Sequence, residues 1–337
     1  MLRLCLALFA LLASFGAGAA EQDRPLRILH VMSFHSPYRW TDGQLAGFKQ
    51  GLGSEVRAEY RVLQMDTNRN KTPQAKEEKG KQAQEMIESW QPDLVYVSDD
   101  DATRYVIQPH INHAIPMVFS GVNKSPEDYG FDKAKNVTGI LEREHFVETM
   151  HLLQSIAPGI RRLAIISDDG PQFVPMLQRV EENKARVPGL SIVSTDIVKT
   201  YADFQKKVLS YQDQADAILL LGIFTLRDDK GVSVPYPEVL RWIAENSKLP
   251  DCSFWIDRIF HGTLTAMTVS EHAQGFAAGQ LARAILIEKR PPASLPMKPT
   301  AKGHPAISLA RARQLGLKIK STQLLTAEVI PNYQWAR

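Results

Sequence analysis

The chain has 337 residues, 44% of them hydrophobic and 23% charged, with a formal net charge of +3. That length suffices for two domains of ordinary size, and so even a charge balance gives no reason to expect nucleic acid or a membrane surface as partner. Of the two cysteines, Cys5 lies in the N-terminal leader described next and Cys252 remains alone, so no intrachain disulfide is expected and stability must come from core burial.

Met1 to Ala20 reads as a secretory signal peptide. Arg3 gives a positive start, Leu4 to Phe15 an apolar stretch short for a bilayer span, and Ala17-Gly18-Ala19 followed by Ala20 a small-residue cleavage site near Ala19/Ala20. The expected destination is the periplasm; an uncleaved anchor is the competing reading. No cysteine follows the cleavage region to accept a lipid, and removal of Arg3 leaves a net charge of +2.

The chain is organised around Arg27 to Leu52, which reads as a buried strand, a polar and aromatic loop, and a helix behind a Thr41/Asp42 cap. Strands are then expected at Glu59 to Met65, Leu94 to Val97 and Ile115 to Ser120, alternating with helices such as Thr72 to Trp90, and Lys124 to Val137 reads as irregular. This alternation is the pattern of a doubly wound parallel sheet. A second series follows, with strands at Arg162 to Ser167, Leu190 to Val198, Ala217 to Leu221, Ser253 to Ile256 and Thr263 to Met267. Helices are expected at Glu144 to Ile156, Gln172 to Val187, Tyr201 to Tyr211, Pro237 to Ser247 and Glu271 to Ile287, the last rich in small residues. Pro291 to Pro299 reads as a linker, Pro305 to Ile319 as a helix, and Leu324 to Ile330 as a closing segment.

Several of these stretches resemble the ABC-transporter substrate-binding protein family that includes tryptophan- and tyrosine-binding members. They are the tail segments Ile307 to Ala312, Leu315 to Ile319 and Ala327 to Ile330, and the helix GFAAGQLARAILIEKRPPASLP. His35 to Asp42, Met65-Asp66-Thr67, Ser98-Asp99-Asp100 and Phe119 to Asn123 resemble a branch often found as the sensing part of bacterial signalling proteins. The resemblance implies a type 1 periplasmic-binding fold: α/β, two doubly wound parallel-sheet lobes with a ligand cleft between them. Crossings between lobes are placed near Gly139 to Glu142, Asp257 to Gly262 and Pro291 to Lys298. They divide the chain into a leader (1–20), a first lobe (24–141 plus 262–293) and a second lobe (142–261 plus 294–337).

In parallel sheets ligands sit beyond the carboxyl ends of the strands. The expected ligand set is therefore Ser33, His35, Tyr38, Trp40, Ser98, Asp99, Asp100, Ser120 and Asn123 from the first lobe, with Glu142, Asp168, Phe224 and Asp257 from the crossings and second lobe. Tyr38 and Trp40 have packing under the loop as a competing role; one of Asp99 to Asp101 is expected to serve only as a helix cap; Asp168 and Asn123 have turn-capping as alternatives. Carboxylates outnumber the nearby Arg39, Arg143, Arg227 and Arg258, so an amino group or several hydroxyls plus a stackable face would suit the lining. An aromatic amino acid and a sugar both fit.

No cofactor or metal is expected. Asp66, Asn68, Asn70 and Glu77 match part of a calcium-loop spacing, but Lys71 stands where that loop needs glycine, and His110/His113 alone do not make a zinc site. With no GxSxG elbow, phosphate loop, HExxH or reactive-cysteine context, the chain reads as a binding protein and not an enzyme. The expected function is capture of a small molecule for an ABC permease. The alternative is a sensor acting in trans on a membrane histidine kinase or nucleotide cyclase.

Overall fold

In a computed structural model, which describes residues 24–300 and 303–336, the chain forms two α/β lobes, each built on its own sheet. The signal-peptide reading falls outside these residues. The first sheet is β1 (Leu26–Met32), β2 (Ala58–Gln64), β3 (Leu94–Ser98), β4 (Met117–Val122), β5 (Val137–Leu141) and β11 (Lys298–Pro299), all parallel in the order β11-β5-β4-β3-β1-β2. The second is β6 (Arg162–Asp168), β7 (Ser191–Val198), β8 (Ala217–Leu220), β9 (Asp251–Ser253), β10 (Thr265–Thr268), β12 (His304–Ser308) and β13 (Glu328–Ile330), ordered β13-β12-β10-β9-β8-β6-β7. Only its β10–β12 pair is antiparallel.

Helices cover both faces of each sheet, and the strands read as continuous apolar runs because both faces are buried. Alternate residues serve opposite layers. Leu29, Val31, Val95 and Val97 face α2 (Pro73–Trp90), while Ile28, Leu94 and Tyr96 face α1 (Arg39–Leu52) and α10 (Glu271–Leu286). In the second lobe Leu163, Ile165 and Leu219 pack on α5 (Phe146–Ile156) and α6 (Phe173–Asn183), and Ala164, Ile166 and Ile218 on α7 (Tyr201–Tyr211) and α8 (Tyr236–Asn246). The short α3 (Asp99–Ala102), α4 (Pro126–Tyr129), α9 (Ile256–Phe260), α11 (Leu309–Gln314) and α12 (Ser321–Thr326) complete the fold.

Two packing devices matter below. Helices α1 and α10 approach so closely that Cβ atoms at Gly47, Gly51, Gly275 and Gly279 would strike, respectively, the carbonyl oxygens of His272, Phe276, Gln44 and Phe48. In the second lobe the fully buried Arg311 donates to Asp251 Oδ2 from Nη2 (2.8 Å) and Nε (3.2 Å), and to the carbonyls of Ala244, Ser247 and Leu249. One side chain thereby fastens α11 to the end of α8 and the start of β9.

Several boundaries differ from expectation. Val137–Leu141 is a full strand, and the irregular stretch before it contains α4, started by a Ser125 capping box. The strand expected at Ser253 to Ile256 ends at Ser253, and the helix expected from Pro305 begins only at Leu309, after β12. A short apolar run such as Pro305 to Ala310 does not distinguish strand from helix by periodicity.

The lobe division also changes. Thr265–Thr268, placed in the first lobe from sequence, is a strand of the second sheet, and Lys298–Pro299, placed in the second, pairs with β5 of the first. Asp257 to Gly262 is therefore not a crossing. The chain passes between lobes after Leu141, after Thr268 and after Pro299. At two-to-four-residue strands, sheet membership is decided by distant partners and not by local pattern. The crossings run side by side: a Cβ at Gly303 would lie 2.6 Å from both the His145 ring and the Met267 side chain.

Candidate functional site

The loop after β1 and the first turn of α1 bring Tyr38 and Trp40 to the cleft. Asp42 accepts from Tyr38 N (2.9 Å), which fixes the helix start, and the His35 ring stacks on Tyr38 at 5.5 Å. Trp40 Nε1 donates to Asp99 Oδ1 (2.8 Å). Asp99 opens α3 with φ 71°, a left-handed backbone uncommon for a non-glycine residue, and its Oδ2 is buried without a partner. Gly121, itself at φ 71°, leaves room for that carboxyl, since a Cβ there would stand 2.5 Å from Asp99 Oδ1.

Between the lobes stands Glu142. Its Oε2 accepts from Asn123 Nδ2 (3.1 Å) on the first-lobe side, and its Oε1 from Trp255 Nε1 (3.1 Å) on the second. Asn123 Oδ1 is buried and unpartnered. On the second-lobe side, Arg258 is fully buried with its guanidinium 4.8 Å from the Phe224 ring centroid and 5.0 Å from that of Trp255. Phe224 meets Tyr236 edge to face at 5.2 Å. The lobes also touch at the rim: Arg39, paired within the first lobe with Glu271 (2.9 Å), lies over the Phe260 ring of the second, and Arg179, paired within the second lobe with Glu144, donates to the Asn123 carbonyl of the first.

Burial dominates the electrostatics. It pushes Asp99 well above the usual carboxyl range, against the Trp40 hydrogen bond and with help from Glu142 and Asp100. Burial likewise lifts Glu142 to about 7, opposed by its bond from Trp255, and lifts Tyr38 with a contribution from Asp257 across the cleft. Burial lowers Arg258, while Asp257, Tyr236, Tyr38 and Asp168 favour its charged form.

The Glu142 shift sets a direction for pH dependence. A carboxyl raised in the folded state binds its proton more tightly there than in the unfolded chain, so its stabilising contribution is present below the ordinary value and is lost as pH rises from about 4.5 to about 7. The loss should approach roughly 3 kcal/mol. Urea unfolding at pH 5 and pH 8 should show a larger drop for the wild type than for Glu142→Gln; equal drops would show that Glu142 does not titrate in this range.

Other expected site residues are held by neighbours. Ser33 Oγ donates to Ser98 O and accepts from Ala102 N, Ser98 Oγ faces His30 Nε2 (3.2 Å), and Ser120 Oγ faces the Tyr96 hydroxyl (2.7 Å). Asp100 accepts from Asn123 N, Lys124 N and Tyr129 OH. Asp168 Oδ1 accepts from Gly170 N in the turn after β6, and Oδ2 accepts from Phe224 N and Thr225 N, which ties the loop after β8 to β6. His35 Nδ1 lies 3.4 Å from Asp66 Oδ1, whose other oxygen is 3.5 Å from Arg69. Among the described residues no group of three or more His, Cys, Asp or Glu could hold a metal ion.

The geometry thus brings Tyr38, Trp40, Asp99, Asn123, Glu142, Phe224 and Asp257 together, and adds Trp255, Tyr236 and Arg258. Trp255 was hidden by the strand that sequence carried through Ile256; ending the strand at Ser253 puts Trp255 in the loop beyond it. Arg258 appeared only as a neighbouring cation. Tyr236, at the start of α8 after a long loop, carries no local signal.

The family described as ABC transporter substrate binding protein matches residues 40–330. No curated protein sequence matches the chain. Among solved structures, a Streptococcus pneumoniae ABC domain in complex with L-Trp is 18% identical over 91% of this chain and 100% of its own, with a TM-score of 0.69. A conserved domain protein from Vibrio cholerae is 17% identical over 91% and 100% (TM-score 0.70). The ligand-free, open structure of CD0873, a substrate binding protein with adhesive properties from Clostridium difficile, is 14% identical over 91% and 99% (TM-score 0.69). At these identities the neighbours establish a shared two-lobed fold, and the family match, over most of the chain, carries the assignment: this chain belongs to the ABC transporter substrate-binding protein family.

Proposed function

We propose that the protein is exported to the periplasm, encloses a small ring-bearing solute between its lobes and delivers it, chemically unchanged, to an ABC permease. An aromatic amino acid is the favoured solute. The observation that carries this is the lining: Tyr38 and Trp40 on one wall and Phe224, Tyr236 and Trp255 on the other surround buried polar atoms that have no protein partner. Aromatic walls with a few fixed polar groups suit a flat solute better than a fully hydroxylated one. The L-Trp complex of the pneumococcal neighbour supports the same reading.

Thermal unfolding of Glu21 to Arg337 with a panel of amino acids, sugars and small acids tests it. A solute at about 100 times its Kd adds roughly 2.7 kcal/mol, a readily measured rise in midpoint. Trp40→Ala removes a wall and the donor to Asp99, and should weaken binding by about tenfold or more. A sugar raising the midpoint while aromatic amino acids leave it unchanged would refute the choice of solute.

A further inference from the structure

We infer that Asp257 and Arg258 together form the receptor for the α-ammonium and α-carboxylate of an amino acid, with Arg258 as the residue that makes the carboxylate obligatory. This deepens the reading above and rests on it for the location of the ligand, not for its ring.

The observation is a charge without a partner. Arg258 is fully buried, yet Nε, Nη1 and Nη2 all lack a hydrogen-bond acceptor. The nearest carboxylate oxygen, Asp257 Oδ2, is 3.8 Å from Nε, beyond hydrogen-bond range, and is itself buried and unpartnered. Compare Arg311, equally buried, whose guanidinium is met by Asp251 and three carbonyls. A buried guanidinium left with only ring contacts is costly, because two flanking rings offset part of the lost hydration and supply no acceptor. The N–H fork of arginine matches the two oxygens of a carboxylate, so the missing acceptor has a natural chemical form.

Charge balance then chooses among carboxylates. Asp257 and Arg258 carry opposite charges, and the neighbouring Asp168 has both oxygens held by backbone N–H groups, so it offers no acceptor to a ligand. A simple organic anion would leave Asp257 Oδ2 unsatisfied and add a negative charge beside two carboxylates; an amine would leave the Arg258 donors unsatisfied. A zwitterion laid head to tail along the pair satisfies both orphaned groups and adds no net charge. The position suits closure, because Tyr38, from the other lobe, lies within electrostatic reach of both Asp257 and Arg258.

The test is calorimetric titration of the mature chain with the twenty L-amino acids, tryptamine and tyramine (no carboxylate), and indole-3-propionate (no ammonium). The expected result is that at least one amino acid binds and that each headless analogue is weaker by about a hundredfold or more. Arg258→Gln should lose amino acid binding by a similar factor while the ligand-free protein melts no lower than wild type, since the substitution removes an unpaired buried charge. Tryptamine or tyramine binding as tightly as its parent amino acid would overturn the inference and leave the aromatic reading intact. Binding of aliphatic amino acids alone would do the reverse. A Gln variant that melts several degrees lower yet keeps its affinity would show that Arg258 is a structural pin, and failure of every amino acid to bind would also overturn the proposal.

Discussion

A Gly275→Val protein is expected to melt roughly 10 °C below the wild type, a loss of about 3–5 kcal/mol. Helix propensity argues the other way, since replacing a mid-helix glycine with a residue bearing a Cβ gains up to about 1 kcal/mol. At this position sterics win. A Cβ at 275 would overlap the Gln44 carbonyl, a backbone atom that can retreat only if α1 moves as a whole. Because Gly47, Gly51 and Gly279 make the same kind of contact along the two helices, the separation cannot be absorbed locally. The first two turns of α1 carry Trp40 and Gln44, both hydrogen-bonded to Asp99, so ligand affinity should fall as well. Gly159, with nothing within 4 Å of its Cβ position, is the control: Gly159→Ala should change the midpoint by less than about 2 °C. A Gly275→Val midpoint equal to the wild type would mean that the helices do not pack this closely.

Arg311→Ala should cost about 3–5 kcal/mol, because it leaves the Asp251 carboxylate fully buried with a single hydrogen bond, from Leu264 N (2.6 Å), and takes the donor from the Ser247 and Leu249 carbonyls, Ala244 O keeping Gln314 Nε2. The double variant Arg311→Met, Asp251→Asn should recover part of the loss: Asn keeps an acceptor for Leu264 N, and Met fills much of the vacated volume without a charge. Chemical denaturation of the three proteins measures this. A double variant no better than Arg311→Ala would place the cost in the orphaned carbonyls and not in the unpaired acid.

Much of this architecture was readable from apolar periodicity. Strands such as Arg162–Asp168 and helices such as Tyr201–Tyr211 are long enough for pattern to decide, and they fall within a residue or so of expectation. Short pieces were not. Thr265–Thr268 and Lys298–Pro299 have the local look of neither lobe, and only their pairing with Cys252–Ser253 and Ile140–Leu141 assigns them. At the candidate site, the rule that ligands gather beyond strand ends points to Tyr38, Trp40, Asp99 and Asp257, but it cannot say which polar groups are already taken. Asp100 and Asp168 look the same as Asp99 in sequence, yet their oxygens are spent on backbone and tyrosine donors while Asp99 keeps one free. Arg258 shows the same blindness in reverse, because its importance lies in acceptors that are missing, and its surroundings include Phe224 and Tyr38, far away in the chain.

The three parallel crossings have a mechanical consequence. Two bodies joined by one flexible tether keep all three rotations; a second tether beside the first removes much of the freedom to swivel, and a third leaves bending about the common edge as the soft coordinate. In this chain that edge is tight, with Gly303 packed against both His145 and Met267 and Met267 N bonded to Thr149 Oγ1. Glu142 sits beside the axis with a hydrogen bond to each body, so it moves least when the outer walls part most. Arg39 of one body lies over the Phe260 ring of the other, so bending about that edge parts this contact and changes the surface that another protein would meet.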